Sequence, residues 1–347
     1  MKPSEKIKGI VFAYNTTGEY DMVRDLGVEW LRVNVSFPWT DRMHGTLSPR
    51  YVEAREQILR IHEAGLKVMP ATPPLGGFVY DEKADDTVWK EEFPPFVGER
   101  GSQAFYDNIR EAMRFVCEDL KGIAGPYWQC MNEPDIPIFS NDYPLEIISG
   151  TAWATAEGIR QADPEARCGI NIAGYNENAV RVLDGIYTEG HPFFYVGVDQ
   201  YFGSWQPGDV DSWTGVIEAL YTRYGLPVLA NEWGYSSDGV YRKDPVDPAL
   251  LPKGLPDVCY AKAWFNQVPG GHTPEVQADY FRRGLKLFAE NPHCLGSFMF
   301  CWRDALHCYH CGAPDCPAED YWGLVTTDLR PKPAYYAVKE ALAAYYA

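Results

Sequence analysis

Two short runs each carry an apolar, strand-like stretch into a glutamate: Trp128-Gln129-Cys130-Met131-Asn132-Glu133-Pro134 and Pro227-Val228-Leu229-Ala230-Asn231-Glu232-Trp233. A carboxyl at the end of a buried strand sits where its surroundings set its protonation state. Two such carboxyls facing one another can divide the labour of acid and nucleophile. One keeps a proton for a leaving oxygen, and the other stays ionised to attack carbon. Cleavage of a glycosidic bond requires that pair.

The elements that must position the two glutamates follow a regular rhythm. Strands are expected at 8–14, 28–35, 66–71, 125–132, 167–173, 194–201, 227–232 and 295–302. Helices are expected near 18–26, 51–64, 102–121, 144–162, 176–189, 211–224, 273–290 and 332–345. Strands alternating with helices imply a parallel sheet, and eight such units with no spare domain imply closure into a (β/α)8 barrel, here 1–347 as one domain. In 102–121, Phe105, Ile109, Ala112, Met113, Val116, Cys117 and Leu120 fall at helical spacing and make one apolar face. Thr273-Pro274-Glu275 reads as a helix start and Asn291-Pro292 as its stop. The loops 72–101, 233–272 and 303–331 are long and follow strands, which places them on the C-terminal face, where barrel enzymes keep their sites.

Alternate residues of a strand share a face. That rule groups Gln129, Met131 and Glu133 on strand four and Val228, Ala230 and Glu232 on strand seven. On strand two it groups Trp30, Arg32 and Asn34, turning a cation and an amide into the barrel. It pairs Asp199 with Tyr201 on strand six, and groups Phe298, Phe300 and Trp302 on strand eight. Trp39, Trp205, Trp233 and Trp322 are candidates for distal sugar platforms or for loop packing.

Composition narrows the function. The 347 residues carry 31 basic and 48 acidic side chains, a net charge of −17, which disfavours nucleic acid and anionic membrane as partners. Strongly anionic polysaccharides are disfavoured on the same ground. No apolar stretch approaches the ~20 residues of a membrane helix. The opening Met1-Lys2-Pro3-Ser4-Glu5-Lys6 has no signal-peptide pattern, so a cytoplasmic location is expected, or secretion if a leader has been removed. An aromatic content of 14% fits a chain that stacks sugar faces, although most of these rings will serve packing.

On these residues the chain resembles glycoside hydrolase clan A, the retaining β/α-barrel enzymes. That clan ends its fourth strand in Asn-Glu-Pro, here Asn132-Glu133-Pro134, and its seventh in a nucleophilic glutamate, here within Asn231-Glu232-Trp233-Gly234. Arg32 on strand two, Tyr201 after strand six, Trp302 at the end of strand eight and the closing Leu329–Tyr336 segment match the clan in order along the whole chain. The resemblance implies a (β/α)8 fold and Glu133 as acid/base. It implies Glu232 as nucleophile, held by Arg32 and the Tyr201 hydroxyl, with the two carboxyls roughly 5–5.5 Å apart. Asn132 would bind the sugar 2-hydroxyl, Trp302 would floor the reacting sugar, and Asp199 would line the site. The substrate would be a neutral β-linked oligo- or polysaccharide, with no cofactor required. At family level, Asp199 replaces the histidine usual in family 5, Ala71-Thr72-Pro73-Pro74 lacks that family's histidine, and the Thr-Pro after strand three is similar to family 39.

Nine cysteines remain to be placed. Cys117, Cys130, Cys168, Cys259 and Cys294 read as scattered, reduced, small apolar residues. Cys308-x2-Cys311 with Cys316 and a nearby histidine resembles a structural zinc knuckle, with a disulfide within the loop and free thiols as the alternatives; Cys301, pointed away from the Trp302 side by strand alternation, is a poor ligand candidate. Two other functional classes stay open: a non-catalytic carbohydrate-binding barrel, and a metal-dependent barrel hydrolase using the Cys/His cluster. The presence of both glutamates argues against the first. The absence of strand-end His and Asp ligands argues against the second.

Overall fold

A computed structural model describes residues 1–11, 19–81, 86–141, 143–244, 259, 263–308 and 314–347. Its strands are β1 (Ile7–Val11), β2 (Trp30–Asn34), β3 (Lys67–Ala71), β4 (Gly76–Asp81), β5 (Asp86–Glu91), β6 (Tyr127–Gln129), β7 (Arg167–Ile172), β8 (Tyr195–Asp199), β9 (Val228–Trp233) and β10 (Cys294–Met299). Among the described residues, β1, β2, β3, β6, β7, β8, β9 and β10 close in that order into an eight-stranded parallel barrel. The architecture is the expected (β/α)8 barrel. β4 and β5 form an antiparallel hairpin inside the 72–101 loop, where no strand was expected.

The helices are α1 (Tyr20–Asp25), α2 (Pro49–Glu63), α3 (Gln103–Asp119), α4 (Pro137–Ser140), α5 (Leu145–Ala162), α6 (Glu177–Ile186), α7 (Trp213–Tyr224), α8 (Pro274–Glu290) and α9 (Pro333–Tyr345). α3 begins where Ser102 accepts the Phe105 amide at 3.1 Å, and it buries Phe105, Ile109, Ala112, Met113, Val116 and Cys117. Each large apolar side chain so buried contributes about 1.5–3 kcal/mol. Thr273 caps α8 in the same way through the Val276 amide, and Asn291 ends it. No helix among the described residues is long and apolar enough to cross a membrane.

Two apolar layers result. Outside the strands lies a large core shared with the helices. Inside the barrel, Ile7, Val11, Trp30, Met69, Tyr127, Tyr195, Leu229, Leu295 and Phe298 form a plug. The plug needs glycine where rings cross: a Cβ at Gly9 would lie 2.3 Å from the Phe298 ring.

Strict alternation fails on β9. Leu229 lies in the inner plug while Val228 and Ala230 lie in the outer core. The register then slips: Ala230 pairs with Val198, but Glu232, not Asn231, pairs with Asp199. This irregularity lets Asn231 and Glu232, although adjacent, both turn inward. The expected grouping of Val228 and Ala230 with Glu232 is therefore corrected. β6 is also shorter than expected and ends at Gln129, and β10 ends at Met299 rather than 302.

Candidate active site

Arg32 on β2 stands directly above the plug and is 6% exposed. Its Nη2 donates to Glu232 Oε1. Its Nη1 donates to Gln129 Oε1 at 3.0 Å and to the Asn231 carbonyl at 3.4 Å. The Tyr201 hydroxyl donates to Glu232 Oε2. Both carboxyl oxygens of Glu232 thus take donors, one of them cationic, an arrangement that suits a carboxylate. Burial opposes the charge on Arg32, yet the Glu232 and Asp199 carboxyls outweigh it and hold its pKa above the usual value.

Glu133 comes from an irregular turn rather than from a strand. Beyond β6, Cys130 donates to the Gly169 carbonyl at 2.7 Å and the Met131 amide to Thr72 Oγ1 at 2.9 Å. Met131 and Glu133 then take φ of 66° and 40°. Left-handed backbone at a non-glycine residue costs of order 1–3 kcal/mol and persists only where surroundings enforce it. Here the Glu133 amide donates to Asn171 Oδ1 at 3.2 Å. Asn132 Oδ1 accepts from Gln129 Nε2 at 2.9 Å and Asn171 Nδ2 at 3.1 Å. Asn132 Nδ2 lies 3.4 Å from Glu133 Oε2.

The electrostatics separate the carboxyls. Burial first, then the charges of Glu232 and Asp135, raise the Glu133 pKa well above the carboxylate range; Arg32 and a hydrogen bond with Asp199 offset this only in part. Asp199 is pushed up by burial, Glu232 and Glu133. Its Oδ2 accepts from Asn171 Nδ2 at 2.5 Å, and its Oδ1 takes no donor among the described residues. Asp135, whose Oδ1 accepts the Ala173 amide at 2.9 Å, is pushed up to about 6 by burial. Glu133, Asp199 and Glu232 crowd around Arg32, and burial together with mutual charge favours a bound proton on Glu133 and Asp199.

Arg32, Asn132, Glu133, Asp199, Tyr201 and Glu232 therefore meet at the C-terminal mouth of the barrel. Trp302 does not join them. Its ring is fully buried in the outer core, 6.4 Å from Tyr335 of α9, and its Nε1 donates to Glu19 Oε2 at 2.5 Å. The partly exposed aromatic beside Tyr201 is instead Phe300, 5.9 Å from Tyr201 and 5.6 Å from the buried Trp322. Phe298 and Phe300 keep the inward face, and the chain turns Trp302 outward after β10 ends. Trp39, Trp233 and Trp322 are buried, so they serve packing; Trp205 is half-buried.

Three residues of the site were not assigned a role from sequence. Gln129 is the hub, reaching Arg32, Asn132, Asn171 and Asn231. Asn171 braces Asp199 and the Glu133 backbone. Asn231 Nδ2 donates to Gln129 Oε1 at 2.9 Å, and a Cβ at Gly197 would lie 2.4 Å from its Oδ1. Their signal was a polar residue inside an apolar strand, as in Cys168-Gly169-Ile170-Asn171-Ile172.

No family model matches the sequence, and no curated protein matches it. Solved structures do match. The chain has the barrel fold of glycoside hydrolases. The GH53 catalytic domain of Ignisphaera aggregans aligns over 97% of this chain and 91% of its own, at 15% identity and TM-score 0.60. A fungal β-1,4-galactanase aligns over 96% and 94%, at 13% identity and TM-score 0.63. The Bacteroides uniformis β-glucuronidase aligns over 97% of this chain at 15% identity and TM-score 0.58. This chain spans only 35% of that last protein's length. At such identities the likeness concerns the fold.

Proposed function

We propose that this chain is a retaining glycoside hydrolase of clan A type, acting on β-linked glycans by double displacement. The observation that carries the reading is the contrast between the two glutamates. Glu133 sits where burial and neighbouring charge favour a bound proton. Glu232 has both oxygens engaged by Arg32 and Tyr201. In the first step a Glu232 oxygen forms a bond to the anomeric carbon as the bond to the leaving oxygen breaks, and Glu133 gives that oxygen its proton. In the second, Glu133 takes a proton from water, the water oxygen bonds to the anomeric carbon, and the Glu232 ester bond breaks. Asn132, fixed by Gln129 and Asn171, would hold the sugar 2-hydroxyl.

The test measures sugar release by wild type, Glu133→Gln and Glu232→Gln on aryl β-glycosides and on β-glucan, xylan, mannan and galactan. Wild-type activity that collapses in Glu232→Gln is expected. Glu133→Gln should lose roughly 10²–10⁴-fold on poor leaving groups and far less on activated aryl glycosides. Proton NMR of the first product should show retained β configuration. Inversion, or activity that survives Glu232→Gln, overturns the mechanism; binding without turnover across the panel favours a carbohydrate-binding barrel.

A further inference from the structure

Cys259, Cys308 and Cys316 come together although they belong to two different loops. Cys259 lies between β9 and α8, and Cys308 and Cys316 lie between β10 and α9. Their sulfurs all fall within 4.8 Å of one another, and all three side chains are buried. Cys259 therefore leaves the set of scattered cysteines in which its sequence context placed it. Cys311 lies outside the described residues.

The spacing discriminates between a bond and an ion. The Sγ atoms of Cys259 and Cys308 are 3.7 Å apart, far beyond the ~2.05 Å of a disulfide. Thiolates around a tetrahedral zinc, with Zn–S of about 2.3 Å, stand about 3.8 Å from each other. The Cys316 sulfur also accepts two N–H donors, from Trp264 Nε1 at 3.0 Å and from the Ala318 amide at 3.4 Å. A thiol is a weak acceptor, whereas a metal-bound thiolate takes such donors as its outer support. Asp320 Oδ2 in turn accepts the Cys316 amide at 3.1 Å, fixing the backbone from which the sulfur projects.

We propose that Cys259, Cys308 and Cys316 bind a structural zinc ion that ties the β9–α8 loop to the β10–α9 loop. Three thiolates and one further ligand complete the tetrahedron. The tie has a direct line to the barrel mouth. Pro317, next to Cys316, accepts from Trp322 Nε1 at 2.8 Å, and the Trp322 ring lies 4.3 Å from that of Tyr201, the donor to Glu232. The ion would stiffen one wall of the site and take no part in bond cleavage. Metal binding stands independently of the proposed hydrolase reaction; only its effect on activity rests on that reading.

The experiment measures metal in the full chain purified under reducing conditions, by inductively coupled plasma mass spectrometry. One zinc per chain is expected in wild type and in the control Cys117→Ser, and none in Cys259→Ser or Cys316→Ser. Cobalt-exchanged wild type should show intense thiolate-to-cobalt charge-transfer absorption, a readout that does not depend on variants folding. Zinc release by a mercurial should lower Tm. Wild type free of stoichiometric metal, a Cys259–Cys308 disulfide in non-reducing peptide maps, or zinc retained in Cys259→Ser would each overturn the proposal.

Discussion

Arg32 and Glu232 form a buried ion pair across the barrel mouth, from β2 to β9, with β1 and β10 between them. Their side chains are 5% and 12% exposed, so the pair is shielded from solvent. Removing one partner from such a pair leaves an uncompensated charge and costs about 3–5 kcal/mol. Arg32→Met should therefore lower stability by that order in urea unfolding. Adding Glu232→Gln removes the stranded charge, so the double variant should be more stable than Arg32→Met alone. A double variant that is no more stable would show that Arg32 holds the mouth through Gln129 and Asn231 rather than through the carboxylate.

Most of the barrel was legible because its strands and helices carry separate periods. α3 and α8 show their caps and apolar faces openly, and Arg32 and Glu232 on their strands, with Glu133 and Tyr201 just beyond theirs, lie where a barrel gathers side chains. The misreadings fall where period two breaks. On β9 the slip between Ala230 and Glu232 turns two adjacent residues inward. After β10 the chain leaves the ladder, so Trp302 goes outward while Phe300 stays in. The Cys259–Cys316 meeting was hidden for another reason: loop residues 57 apart in sequence carry no periodic signal of contact. The hairpin of β4 and β5 lay inside a loop rich in turn residues and showed only as length.

Asp199 provides a pH test of the crowded carboxyls. Its folded-state pKa is raised by burial, Glu232 and Glu133. Between its unfolded and folded values the native chain binds more protons than the unfolded one. Its contribution to stability is thus fully present below the unfolded value and is lost as pH rises through the folded one. Asp199→Asn keeps an acceptor for Asn171 Nδ2 and removes the titration. The variant's Tm relative to wild type should climb steadily as pH rises from about 4. A difference that stays flat from acid to alkaline pH would mean that Asp199 does not titrate with a raised pKa. Activity at low pH, where Asp199 is already protonated, should change less than activity at high pH.

Phe300 and Trp302 separate substrate contact from packing. Phe300 is partly exposed beside Tyr201, while Trp302 is sealed against Tyr335 and donates to Glu19. If a sugar sits over Glu232, it meets the Phe300 ring. Phe300→Ala should raise KM for glycosides several-fold, since aromatic faces supply contact area to a bound ring. Trp302→Phe deletes the donor to a buried carboxyl whose other oxygen, Glu19 Oε1, has no hydrogen-bond partner among the described residues. Leaving such a group unsatisfied costs about 1–3 kcal/mol, so that variant should lose Tm while keeping KM. The opposite pattern, with KM moved by Trp302→Phe and untouched by Phe300→Ala, would return the sugar floor to Trp302 and require the Glu19 contact to open when substrate binds.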